Sequence, residues 1–212
     1  MSRILITSGP TRQYLDPVRY LTNASSGRMG AALAAAALEA GHEVIIVSGP
    51  VEVAYPCEAK VIPVVTTDEM LAACQSVFPD CNGLIAVAAP CDYRPVEVAQ
   101  GKIHKTGDSL HVELVETPDI VATLGTEKQS QWIVAFALET HDRHLRAMQK
   151  LERKRCDLIV VNGAEAIHAT DTAIEVLNKQ GAVLKHLSGS KGQVAKRLFQ
   201  VIDKQLISKP RD

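Results

Sequence analysis

Several stretches of this sequence hold residue types at spacings that could do chemistry. Gly9-Pro10-Thr11 follows a short β-branched run, and Ser25-Ser26-Gly27 with Gly30 precedes an Ala-rich one. Ser25-x-Gly27-x-x-Gly30 takes the place of a G-x-G-x-x-G phosphate loop. There, glycines let the backbone approach closely and a helix N-terminus offers unpaired N–H groups to an anion. The same spacing also suits a tight turn with close helix–sheet packing. Further on, Ala86-Val87-Ala88-Ala89-Pro90-Cys91-Asp92 ends an apolar run in small residues. Small residues admit a planar ligand, and Asp92 can accept hydrogen bonds from a base amine; equally, it can pair with Arg94 or cap a turn. Lys102 and Lys105 stand in a loop beside this stretch, where lysines are ordinarily solvated.

Six cations (Arg143, Arg146, Lys150, Arg153, Lys154, Arg155) crowd one short segment against Asp142 and Glu152. Arg146, Lys150 and Lys154 recur at i, i+4, i+8 and share a helix face, which suits a bound polyphosphate or a solvated surface. His141-x-x-His144 has helical metal-ligand spacing without an apparent third ligand, so exposed histidines are the better reading. Cys91 has no base placed beside it by sequence and reads as a small lining residue. A dinucleotide site would want an acid at the end of the second strand. That strand ends Val47-Ser48-Gly49-Pro50, with Glu52 already past it, which disfavours NAD.

The elements that must position these groups alternate. Strands are expected at 3–8, 43–48, 60–65, 83–89, 132–138 and 157–162, and helices at 28–40, 67–78, 141–156 and 191–206. A further helix is expected to start at Pro118 with Thr117 as its cap. A long polar loop is expected from Gly9 to Ser26, a short hairpin at 110–115 and a terminal hairpin over 172–188. The expectation is an α/β, doubly wound, mostly parallel Rossmann-like sheet with a C-terminal β-hairpin, as one domain over 1–212. In such folds ligands bind outside the carboxyl ends of the strands.

Composition narrows the classes. Of 212 residues, 46% are hydrophobic and 4% aromatic, so the core is aliphatic and Ala-rich. Lys plus Arg number 23 against 24 Asp plus Glu, which argues against a general grip on nucleic acid or anionic membrane. The longest apolar run, Ala31 to Leu38, falls short of the about 20 residues a membrane span needs. No secretory leader is evident, and five cysteines without C-x-x-C spacing fit neither a disulfide framework nor a zinc cluster. A reduced, cytoplasmic protein is expected.

Taken together, TSGPTRQYLDPVRYLTNASSGRMG (Thr7 to Gly30), AAPCDYRP (Ala88 to Pro95), KIHK (Lys102 to Lys105), TPDIVA (Thr117 to Ala122), FALET (Phe136 to Thr140) and KRCDLIVVN (Lys154 to Asn162) resemble the phosphopantothenoylcysteine synthetase family, the second half of the bacterial bifunctional coenzyme A flavoprotein. The segment from His168 to Asn178 is a looser version of the family's. The resemblance implies a ligase that joins 4'-phosphopantothenate to L-cysteine with CTP and Mg²⁺, through an acyl-cytidylate and release of pyrophosphate. It implies a homodimer, with a separate phosphopantothenoylcysteine decarboxylase as a partner and no bound flavin. The chain would be a stand-alone protein or an excised domain. By motif, Ala86, Val87, Ala88 and Asp92 correspond to the cytosine reader. Lys102, Pro118, Asp119, Ile120, Val121, Phe136, Lys150 and Lys154 correspond to the rest of the nucleotide shell. Gly9, Pro10, Thr11, Ser25, Ser26, Gly27 and Gly30 correspond to the phosphate cradle, and Arg19, Asn23 and Ala89 to positions that process the acyl-nucleotide. Lys102 is the candidate for charge stabilisation during cytidylyl transfer. An NAD(P)-dependent Rossmann oxidoreductase, though without a Tyr-x-x-x-Lys pair, and a non-catalytic nucleotide-binding module share the fold.

Overall fold

The computed structural model describes residues 1–138, 142–162 and 171–208. In chain order the elements are β1 (Arg3–Ser8), β2 (Arg12–Asp16), β3 (Arg19–Thr22), α1 (Arg28–Glu39), β4 (Glu43–Ser48), β5 (Lys60–Pro63), α2 (Thr67–Val77), β6 (Gly83–Ala86), β7 (Tyr93–Pro95), β8 (Leu114–Glu116), α3 (Ile120–Glu127), β9 (Trp132–Leu138), α4 (Arg143–Arg153), β10 (Leu158–Asn162), β11 (Asp171–Asn178), β12 (Val183–Ser190) and α5 (Lys191–Ile202). The main sheet runs β12-β11-β10-β9-β6-β1-β4-β5, parallel from β10 to β5 and antiparallel where β11 and β12 join. The doubly wound sheet with its terminal hairpin is therefore as expected.

Both faces of the sheet's middle are covered, which is why β1, β6 and β10 are predominantly apolar and buried while the edge strands β5 and β12 are not. Ile4 and Ile6 pack with Leu33, Ala34 and Ala37 of α1 and with Val194, Leu198 and Phe199 of α5. Leu5 points the other way, into a layer with Met70 and Cys74 of α2, Leu124 of α3, and Ala147 and Leu151 of α4. Each such Ile or Leu, fully buried, contributes about 1.5–3 kcal/mol. Gly83 sits where a Cβ would come within 2.1 Å of the Trp132 ring, so β6 and β9 pair beneath an indole that leaves no room for a side chain.

The chain passes from β1 through β4 to the edge strand β5, then returns by α2 to β6 on the other side of β1. The connections leaving β1 and β6 diverge there, and that divergence opens the crevice such sheets use for ligands.

Four local expectations are corrected. The stretch after β1 is not all loop: β2 and β3 form an antiparallel hairpin, with Tyr14 edge-on to Tyr20 and the Arg12 guanidinium 4.5 Å from the Tyr20 ring centroid. No hairpin forms at 110–115; instead β7 pairs with β8 across the intervening loop, Tyr93 opposite Glu116. Pro118 does not start a helix. The Thr117 hydroxyl donates to the Cys91 carbonyl at 2.6 Å, and Asp119 caps α3 by accepting from the Ala122 N–H at 3.1 Å. Two helices are shorter than expected: α4 covers Arg143–Arg153, and α5 ends at Ile202 with a π-helical turn over Asp203–Ile207.

Beneath the crevice a closed network of buried hydroxyls ties these pieces together. The Cys91 N–H donates to Thr11 Oγ1 at 2.8 Å, and Thr11 Oγ1 donates to Thr67 Oγ1 at 2.8 Å. Thr67 Oγ1 also accepts from Gln13 Nε2 at 3.0 Å and donates to the Cys91 carbonyl at 3.2 Å. Thr11 and Thr67 are fully buried. Replacing Thr67 by Val keeps the shape but strands the Gln13 amide and the Thr11 hydroxyl, so stability should fall by about 1–3 kcal/mol, the cost of unpaired buried polar groups. Thr67→Ser should retain most of it. Urea denaturation of both variants checks this; equal midpoints for Val and wild type would show that the network contributes nothing.

Candidate functional site

Two cavities open at the carboxyl ends of β1 and β6. The first, about 680 Å³, is lined by Ala86, Ala88, Cys91, Asp92, Tyr93, Glu116, Pro118, Asp119, Ile120, Val121, Phe136, Arg153 and Lys154, among others. The second, about 530 Å³, is lined by Asn23 to Gly30, Val87 to Pro90, Asp92, Phe136, Ala137, Lys150, Asn162, Thr172 and Lys191. Ala88, Pro90, Asp92 and Phe136 line both, so the two are neighbouring compartments of one crevice. Volumes of this order suit a small-molecule ligand.

The second compartment is built around the start of α1. Gly27 has φ +72°, the left-handed region that favours glycine, and its carbonyl accepts from Ser8 Oγ at 3.3 Å. At Gly30 a Cβ would come within 2.1 Å of Ser8 Oγ, so that glycine lets the helix lie on β1. The packing and phosphate-loop readings therefore coincide: close packing is what brings the helix start to the crevice. No side chain caps α1, which leaves its first-turn N–H groups to water or an anion. Asn23 Nδ2 donates to the Ala89 and Pro90 carbonyls at 3.3 and 2.8 Å, tying the loop before α1 to the chain leaving β6.

Charge is distributed unevenly. Asp92 is exposed, and its side chain makes no hydrogen bond or ion pair among the described residues; Arg94 pairs instead with Asp68 at 3.8 Å. Among the described residues lining the second compartment, Asp92 is the only carboxylate, against Arg28, Lys150 and Lys191. In the first, Lys154 Nζ lies 3.0 Å and Arg153 Nη2 3.6 Å from Asp119 Oδ2. Lys150, in the last turn of α4, and Lys154, the residue that caps it, thus line different compartments.

Not every residue read as part of the site is brought into it. Gly9, Pro10 and Thr11 are buried beneath the crevice and line neither compartment. The Gly9 carbonyl accepts the Ala89 N–H at 2.9 Å, Pro10 bridges to Ala89, and Thr11 belongs to the hydroxyl network. In this structure they form the floor of the crevice. Arg19 and Lys102 also line neither compartment. The Arg19 guanidinium is held by Asp16 and by the Ile103 carbonyl, with Nε 2.9 Å from Asp16 Oδ2. Lys102 is exposed on the adjoining loop. Burial of the Asp16 carboxyl would raise its pKa, but hydrogen bonds from Arg19 and from the Ile103, Val18 and Arg19 N–H groups prevail and hold it far below the usual carboxylate range.

Cys91 is a lining residue, as expected. Burial pushes its thiol up and its Sγ points at the Thr11 and Leu21 carbonyls, so it is no nucleophile. His144 pairs with Glu175 at 2.5 Å, while His141 lies outside the described residues. Sequence reasoning missed Arg28, Asn162, Thr172 and Lys191. Asn162 ends β10, and a polar residue at a strand's carboxyl end was a usable signal. Thr172 and Lys191 arrive from the antiparallel extension and α5, which carry no such rule.

Comparison with known proteins agrees with the fold and the motifs. The coenzyme A biosynthesis bifunctional protein CoaBC of Vibrio vulnificus (strain CMCP6) is 42% identical over 185 residues, covering 84% of this chain and 46% of that protein. The protein of the same name from Escherichia coli (strain K12) is 46% identical over 163 residues, 75% of this chain and 40% of its own. The chain thus spans about half the length of such relatives. The crystal structure of the C-terminal domain of coenzyme A biosynthesis bifunctional protein CoaBC superposes with a TM-score of 0.83 at 35% identity, covering 98% of both chains. The DNA/pantothenate metabolism flavoprotein C-terminal domain matches residues 1–206. With the resemblance carried by Thr7 to Gly30 and Ala88 to Pro95 met by a match along nearly the whole chain, the protein belongs to that family.

Proposed function

We propose that this chain is a phosphopantothenate–cysteine ligase that uses CTP. The observation that carries the reading is the polarity of the crevice: Asp92, with no partner among the described residues, stands among small residues, while Arg28, Lys150, Lys191 and an uncapped helix N-terminus line the second compartment. A nucleotide has that polarity, with an amine-bearing base at one end and a polyphosphate at the other. The CoaBC relatives, named for coenzyme A biosynthesis, support the same reaction class.

In the first step the phosphopantothenate carboxylate attacks the CTP α-phosphorus in line, forming an acyl–O–P bond as the bond to pyrophosphate breaks. In the second, the cysteine amine attacks the acyl carbon, losing a proton as CMP leaves. Neither step needs an enzyme nucleophile; both build charge on oxygens that placed cations and N–H groups stabilise. The α1 N–H groups and Lys150 would hold phosphates, and Ala86 to Ala89 would admit the base. Lys102 keeps its charge-stabilising role only if its loop reaches a nucleotide outside the compartments of its own chain. Among the described residues no group of three His, Cys, Asp or Glu could hold a metal. Magnesium is commonly held by one or two carboxylates plus substrate phosphates. The Ser25 and Ser26 hydroxyls, beside the α1 N-terminus, fit a supporting place next to such phosphates, where an ion would offset β- and γ-phosphate charge. The oxidoreductase alternative is not favoured: β4 ends at Ser48, whose Oγ is spent on Tyr55 Oη at 2.7 Å, with no acid placed for a ribose.

We also infer a homodimer. Exposed Val18 and Tyr20 on the β2–β3 hairpin adjoin exposed Val96, Val98, Leu110 and Leu114 around β7 and β8, the two joined by the Ala99 N–H bond to Leu15. Apolar exposure concentrated in this way marks an interaction surface.

Pyrophosphate release should require phosphopantothenate and be fastest with CTP. UTP presents a carbonyl where cytosine has its amine and should be poor, since a site built to hydrogen-bond one group rejects its isostere strongly. Asp92→Asn should erode that preference; equal rates with CTP, ATP and UTP in the wild type would sink the base-reading role. Asn23→Asp replaces an amide donor by a carboxylate facing two carbonyl oxygens, freeing the loop from β6. Pyrophosphate release in one turnover should survive while CMP formation stalls. Quenched samples count the two products separately, and parallel loss of both with a lowered thermal midpoint would assign Asn23 a structural role alone. Sedimentation should give a dimer for the wild type and a monomer for Val98→Asp with Leu110→Asp; an unchanged mass would move the interface elsewhere.

A further inference from the structure

The geometry points to Lys191 as an anchor for the β- and γ-phosphates of the nucleotide, an inference that rests on the ligase reading above. Lys191 is the first residue of α5, and Arg28 is the first residue of α1. Both line the second compartment. The two helices pack side by side on one face of the sheet, Leu33 and Ala37 sharing a core with Val194 and Leu198, so both present their N-terminal ends to the same space.

A cation at a helix N-terminus has the wrong sign for the helix dipole, whose positive end favours an acid there. One such placement is unremarkable on a surface. Two, from different helices lining one cavity, make physical sense when a polyanion lies between them, because the dipoles and the cations then act in the same direction. Lys191 is half-buried and has no ion pair or hydrogen bond from its ammonium among the described residues, whereas Lys196 of the same helix pairs with Glu39 at 2.9 Å and Lys154 with Asp119. Its backbone is held in place. The Ser190 side chain accepts from the Gln193 N–H and Gln193 returns the bond to the Ser190 N–H, fixing the first turn. The cation that shares a compartment with Lys150 and the α1 N-terminus is therefore Lys191, not Lys154. Its ammonium would hold the terminal phosphates and then the charge that grows on departing pyrophosphate.

The test compares Lys191→Met, which keeps an apolar stem of similar length, with Lys191→Arg and with Lys196→Met as a control on the solvated side of α5. Calorimetric titration with CMP, CTP and inorganic pyrophosphate gives the binding readout, and steady-state pyrophosphate release gives KM and kcat. Lys191→Met should weaken CTP and pyrophosphate by about 10- to 100-fold, as for one charge-assisted hydrogen bond. CMP affinity should stay within about twofold, Lys191→Arg should recover most of the loss, and Lys196→Met should match the wild type. Unchanged CTP and pyrophosphate affinity in Lys191→Met, or an equal loss for CMP, would overturn the assignment. A wild type that binds pyrophosphate through Lys191 but releases none from any nucleotide when phosphopantothenate and cysteine are supplied would keep the anchor and refute the ligase reading. A wild type that binds neither ligand would refute both.

Discussion

The peptide at Cys91 is gripped from both sides: Thr11 accepts its N–H, and Thr67 and Thr117 both donate to its carbonyl. Each of those threonines belongs to a different part of the fold. Thr11 enters the β2–β3 hairpin, Thr67 opens α2, and Thr117 leads into α3. The chain leaving β6 is pinned where the sheet's connections diverge, and the neighbouring Asp92 is thereby set on the wall common to both compartments. Satisfied buried networks of this kind favour one arrangement over others, since every slipped alternative strands a polar group in the interior. The crevice is a consequence of topology, but its shape depends on these hydroxyls.

On that floor the fold assembles opposite electrostatic tendencies from elements far apart in sequence. The α1 N-terminus reaches the crevice because two glycines allow the helix to lie on Ser8 and turn at its start. Lys150 comes from α4 on one face of the sheet and Lys191 from α5 on the other. The carboxylate common to both compartments, Asp92, arrives by a strand-end loop. Such a crevice orients a ligand by its own dipole before any specific contact forms, which is what the two successive reactions of the proposed ligase demand.

How much of this was legible in the sequence follows from the range of each interaction. The alternation of RILITS, EVIIVS and WIVAFAL with Ala-rich or amphipathic segments is local, and it carried the doubly wound sheet and most element bounds. Ser25 to Gly30, Val87 to Pro90 and Asp92 were legible because strand ends gather at one edge of the sheet, Lys150 through its helical spacing, and Asn23 and Phe136 through the family resemblance; the structure gathers them all. What failed was long-range. The pairing of Tyr93 with Glu116 spans a loop whose own residues look like a hairpin. Thr117 reads as a cap until Cys91 claims its hydroxyl, and Thr11 reads as a phosphate contact until Thr67 does. Arg28 and Lys191 are unremarkable as letters; only the packing of α1 beside α5 gives them a common target.

Arg19 and Lys102 show how a residue outside the crevice remains tied to it. Asp16 is fully buried, yet its carboxylate receives both the Arg19 guanidinium and the Ile103 N–H, while the Ile103 carbonyl accepts from Arg19 in return. The loop bearing Lys102 is thus fastened to the hairpin that begins at Thr11, in the floor network. Because the Asp16 pKa is depressed on folding, this fastening is present above the ordinary carboxylate range and is lost only as pH falls through the lower folded value. At neutral pH the tie is constant, so Lys102 moves with the hairpin and its loop as a unit. Any path that brings Lys102 to a phosphate must therefore carry the hairpin's exposed apolar edge along with it. A partner subunit would cover that same edge, which makes assembly and the use of Lys102 one geometric question.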